Sequence, residues 1–155
     1  MAVDKNKLIA SAQRLTQKGQ LDRAIREYRL IVEDDPSDIR VWMKIGDLYV
    51  RKGAIPHAIA TYNKVAIHYR EGGHHQKAAA VYKQIIGLAP GAIDAHLALG
   101  ELYAKLNQPQ EAISELQIVV GAYEREGRHR ESCELLQRIV ELGPEDEPNR
   151  IRLAE

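Results

Sequence analysis

Apolar positions in this chain recur at intervals of three and four. Leu8, Ile9, Ala12 and Leu15 form one such set, and Trp42, Ile45 and Tyr49 another; this is the spacing of a helix with one buried face. Followed along the chain, the pattern predicts helices near residues 5–18, 21–34, 38–52, 55–71, 74–88, 92–106, 109–126 and 129–142, with a ninth starting near 148. Asp4 stands where its carboxylate can cap the first of them. Gly19, Gly53, Gly73 and Gly127 fall where a helix must stop and reverse, since glycine takes the left-handed conformation without a Cβ clash. Pro36, Pro90 and Pro144 close the helices before them. The predicted fold class is all-α.

Those three prolines are 54 residues apart, and the register holds between them. Gly46, Leu48, Tyr49, Ala58, Tyr69, Gly73 and Ile85 return 54 positions later as Gly100, Leu102, Tyr103, Ala112, Tyr123, Gly127 and Ile139. Self-similarity at a fixed period marks a stack of supersecondary units. The units run over about 5–36, 37–90 and 91–144, with 145–155 opening a further one, and together they are expected to make a single array over 1–155.

A finer pattern lies inside the 54. Trp42-x2-Ile45-Gly46-x2-Tyr49, followed by Ala58-x3-Tyr62, resembles the tetratricopeptide repeat (TPR), whose pattern is Trp-x2-Leu-Gly-x2-Tyr, then Ala-x3-Phe, then Pro. The same frame fits Leu8, Ser11, Ala12, Leu15, Ala24, Tyr28 and Pro36, and again His96, Leu99, Gly100, Tyr103, Ala112 and Leu116. Two more frames begin at Tyr62 and at Leu116 and end at Pro90 and Pro144. Frame starts therefore step by 34, 20, 34 and 20, so Tyr62 and Leu116 each serve two frames. The segments 55–72 and 108–126 are read as single long helices shared between neighbouring pairs, which gives three helices per 54 residues and leaves the inner and outer walls open. Small residues on paired helices, Gly46 with Ala58, Gly100 with Ala112 and Ala12 with Ala24, are expected to set the interhelix distance. The resemblance implies a right-handed α-solenoid of antiparallel helices, of the bacterial type.

Composition adds limits. Lys and Arg number 22 and so do Asp and Glu, giving zero net charge, and 45% of residues are apolar; disordered, strongly basic and disulfide-stapled classes recede. No stretch approaches the roughly 20 apolar residues of a membrane span, and residues 1–7 reach charges without an apolar leader, so a cytoplasmic location without membrane insertion is expected. The balance hides a polarity: residues 1–90 carry 15 basic and 9 acidic side chains, residues 91–155 carry 7 and 13. Cys133 is the single cysteine and is expected to be a small buried hydrophobe.

Chemistry is thin. Six histidines include His57, His68 and the adjacent His74 and His75, but neighbouring helical residues point apart and no Cys or Asp stands at ligand spacing. His96, where the repeat pattern has Trp, is expected to be a packing residue. Asp34-Asp35 and Glu145-Asp146-Glu147 fall at helix-end turns. No phosphate loop, nucleophile elbow or His-Glu-x-x-His motif occurs. No catalytic residue, metal or cofactor is expected, and the chain is read as a non-enzyme.

What the resemblance implies is a concave wall, lined mainly by first helices, that holds an extended peptide or a partner's helix. By position, the groove residues are Asn6, Ile9, Gln13 and Gln17 in the first frame, Arg40, Met43, Lys44, Asp47 and Arg51 in the second, and Asp94, Leu97, Glu101 and Lys105 in the fourth. Their spacings of three, four and seven put each set on one helix face. The chaperone-tail clamp of some family members needs Lys and Asn where this chain has Ile9 and Gln13, so that function is argued down. The leading expectation is a protein-binding scaffold at the N-terminus of a longer bacterial-type protein, because Arg150 to Glu155 align with the start of a further repeat. The alternative is a head-to-tail self-assembly module joined through its uncapped C-terminal end, and RNA binding is disfavoured by the zero net charge.

Overall fold

The structure is a computed structural model that describes residues 3–145 and 147–154. Readings made above at residues 1, 2, 146 and 155, and for the side chain at 147, lie outside the described residues. Within them are nine helices and no strand: α1 (Lys5–Gln17), α2 (Leu21–Asp34), α3 (Ile39–Lys52), α4 (Ile55–Glu71), α5 (His75–Leu88), α6 (Ile93–Lys105), α7 (Pro109–Arg125), α8 (His129–Leu142) and α9 (Glu147–Ala154). Every boundary lies within a residue or so of the one predicted from periodicity.

Local chemistry explains where the helices start and stop. Asp4 accepts a hydrogen bond from the Lys7 amide at 3.1 Å, and Asp38 caps α3 in the same way at Val41. Gly19, Gly53, Gly73 and Gly127 all take positive φ, from 73° to 79°. The fifth such position is Asn107, at φ 56°; it lies 54 residues after Gly53, and asparagine is the L-residue that best tolerates this region. Before each of the three prolines the chain leaves the helical region: Asp35, Ala89 and Gly143 sit at φ between −127° and −140°, where the proline ring forces the preceding residue.

Contacts divide the chain into two compact units, Met1–His68 and Tyr69–Glu155, with the division inside α4. In the first unit α1 packs on α2 and α2 on α3 around Ala12, Ala24, Ile25, Tyr28, Ile31, Val41, Ile45 and Leu48. In the second, α5 to α9 each pack on the next helix in sequence, and Ile113, Leu116, Val120, Leu136 and Ile139 form a core cluster with Leu97 and Leu153 at its edge. The long helix α7 packs on both α6 and α8, as expected of a shared helix.

One expectation gains a further partner and one is corrected. The space against Gly46 is filled by Tyr62, one turn beyond Ala58: a Cβ at Gly46 would stand 2.5 Å from the Tyr62 ring. At Gly100 the equivalent Cβ would meet Leu116 at 2.9 Å and the Ala112 carbonyl at 3.4 Å. Cys133 is exposed, not buried, because Ser132, Leu136 and Ile139 form the inward face of α8 and the next residue after Ser132 is rotated away from it.

Candidate functional site

The first unit carries an open groove of about 520 Å³, within the size range of ligand clefts. Gln13, Thr16 and Gln17 reach it from one face of α1, and Lys44, Asp47, Leu48 and Arg51 from one face of α3. Buried Tyr28 of α2 and buried Leu48 make the floor. Five of the residues predicted from the resemblance, Gln13, Gln17, Lys44, Asp47 and Arg51, are thus brought together from two helices. Sequence reasoning misses Tyr28, Leu48 and Thr16, because their apolar or half-buried pattern is that of ordinary core positions.

The remaining predicted residues lie elsewhere. Ile9 is half-buried against the core of the first unit, and Asn6, Arg40 and Met43 do not line the groove. Asp94, Glu101 and Lys105 are exposed on α6 in the second unit, where Leu97 packs against the core cluster instead.

The groove has one fixed charge. Asp47 accepts a hydrogen bond from the Tyr62 hydroxyl of α4 at 2.5 Å, and Gly46 is what lets the Tyr62 ring come so close to α3. Burial, and next the bond to Asp47, push the Tyr62 hydroxyl far above the usual phenol range. Burial also pushes Tyr28 up. Thr16 donates to the Ala12 carbonyl at 2.8 Å. Lys44 and Arg51 are exposed beside the two glutamine amides. Such a lining can grip a peptide backbone through amides and a carboxylate through the cations. Among the described residues no group of three or more His, Cys, Asp or Glu side chains gathers at metal-binding distance.

Family models of the tetratricopeptide repeat match residues 9–67 and 69–124, most of the chain. This chain belongs to the tetratricopeptide-repeat family. No curated protein sequence matches it. Solved structures similar to it include a MamA fragment from Desulfovibrio magneticus RS-1, 18% identical over 95% of this chain and 99% of that one, at a TM-score of 0.39. A TPR protein of Thermus thermophilus is 18% identical, with 97% of each chain covered and a TM-score of 0.36. One from Parabacteroides merdae is 18% identical over 97% of this chain and 71% of the other, at 0.39. Family membership rests on the matched segments, since superpositions at these scores carry no argument.

Within the TPR frame, His96 does more than fill space. Trp42 donates its indole N–H to the Pro36 carbonyl at 2.9 Å. His96, 54 residues later and 5% exposed, donates from Nε2 to the Pro90 carbonyl at 2.8 Å, and its Nδ1 is hydrogen-bonded to the Glu115 carboxyl at 2.6 Å. The histidine keeps the tryptophan's bond and adds one to α7. No helix among the described residues is long and apolar enough to cross a membrane.

Proposed function

We propose that this TPR protein is a non-catalytic scaffold that holds a partner's extended segment in the groove of its first unit. The observation that supports this reading is the convergence of Gln13, Gln17, Lys44, Asp47 and Arg51 on one opening. Two exposed cations and one acid already held by Tyr62 favour a segment carrying a carboxylate beside peptide groups free to bond the glutamines. The chain lends no chemistry of its own in this reading and works by placing one protein beside another.

The test is selection of binding peptides from a random display library on the intact chain, followed by calorimetry with variants. Lys44→Ala combined with Arg51→Ala should weaken the selected peptides about tenfold or more, while Arg40→Ala, outside the groove, should leave affinity unchanged. Equal binding by all three proteins would remove the groove from the proposal. A second reading, charge-driven self-association, draws on the opposite net charges of the halves 1–90 and 91–155. Light scattering at low and high ionic strength decides it, and an unchanged monomer at both would end it.

A further inference from the structure

A second depression in the first unit shares no residue with the groove. It measures about 470 Å³ and lies where α2 meets the end of α3 and the start of α4. Its floor is Ile25, Tyr49 and Ala54, and its rim carries Arg26, Arg29, Lys52 and His57. The one acid, Asp22, is already paired with Lys52. Arg26 and Arg29 are exposed and, among the described residues, have no ion-pair partner. Both also border an adjoining hollow of about 340 Å³ whose other lining residues are Leu30, a large apolar side chain left 48% exposed, and Glu33, an acid one turn after Arg29. The two hollows share these two guanidiniums and are read as one trough, with the apolar floor on one side of them and Leu30 with Glu33 on the other; Arg26, Arg29, Lys52 and His57 outnumber the two acids, Asp22 and Glu33.

We infer that this trough is an interaction surface for an acidic protein segment that carries a large apolar residue, placed on α2 and separate from the groove. The chemistry selects the occupant. Guanidiniums match carboxylates in a bidentate fork, and an exposed leucine beside them gains only if the ligand covers it with apolar surface. A sugar–phosphate backbone would satisfy the arginines and leave Leu30 in water, so a protein segment fits the whole trough and a nucleic acid only half of it. Tyr49 cannot serve as an open stacking platform either, since it is half-buried and its ring already lies against His57 at 5.2 Å.

The probe is a fluorescein-labelled peptide with one leucine flanked on both sides by glutamates, titrated into the intact chain and followed by anisotropy. Saturable binding is expected, weakened about tenfold or more by Arg26→Glu with Arg29→Glu and weakened again by Leu30→Ser. All three positions are exposed, and unchanged circular dichroism confirms that the variants fold. Lys44→Ala with Arg51→Ala should leave this binding intact, which separates the trough from the groove. Absence of saturable binding would overturn the inference, as would equal binding by the charge-reversed variant or by a peptide with glutamine in place of glutamate. Tighter binding of an oligouridylate through the same arginines would overturn it in favour of a nucleic-acid surface.

Discussion

Gly46 is where packing and the groove meet in one residue. Without a Cβ it admits the Tyr62 ring, and the ring's hydroxyl holds Asp47. Gly46→Ala should therefore cost about 1–3 kcal/mol in urea unfolding, since the ring is tethered and cannot swing aside without breaking its bond. Tyr62→Phe should cost about 1 kcal/mol and also weaken groove ligands, by freeing Asp47 to compete for Lys44 and Arg51. Tyr28, Tyr62 and Tyr82 are all pushed up, first of all by burial. The unfolded chain then releases its phenol protons first, so the stability these residues give is intact below about pH 10 and declines above it. Urea midpoints measured across that range should fall, and fall less for Tyr62→Phe. A further substitution probes the histidine: His96→Phe loses both bonds and should destabilise by about 1–3 kcal/mol, with Glu115→Gln costing less because the amide can still bond the ring.

At the scale of the helix, the punctuation is written in the chain itself. Glycines at turns, a proline every 54 residues and apolar residues at three and four mark all the helices, because each signal is local and needs no knowledge of the partner surface. Asn107 is harder to see because asparagine is a common residue, although the 54-residue register places it at the site of Gly53. The positive φ there makes a β-branched residue expensive: Asn107→Val should lower stability by about 1–2 kcal/mol by thermal unfolding. What contacts what is less legible. Tyr62, one turn after Ala58, presses on Gly46, because a long side chain reaches back over the turn before its own Cα. Composition misleads at Cys133, since it says how often cysteines are buried, and only the helix phase says which way this one points. For the long helix α7, which packs on two neighbours, Leu116→Ala should cost about 2–5 kcal/mol.

At the scale of the molecule, the candidate groove is legible only in part. Helix phase puts Gln13 with Gln17 and Lys44 with Asp47 and Arg51, but the phase of a single helix cannot say which other helix it faces. Arg40 and Met43 therefore join the prediction although the opening in the first unit is lined without them, and in the 54-residue register Lys44 becomes Ala98 and Tyr62 becomes Leu116, so the α6 set lacks that cation and that hydroxyl. The trough on α2 is invisible in the sequence, since Arg26 and Arg29 look like any solvated helix face until Leu30 and Tyr49 are seen beside them. Recognition through the first unit's groove is tested most directly by an amide chemical-shift titration of the labelled chain with a peptide selected on it. Shifts should concentrate at Gln13, Thr16, Gln17, Lys44, Asp47 and Arg51; a saturating titration that leaves those amides unmoved would contradict the claim.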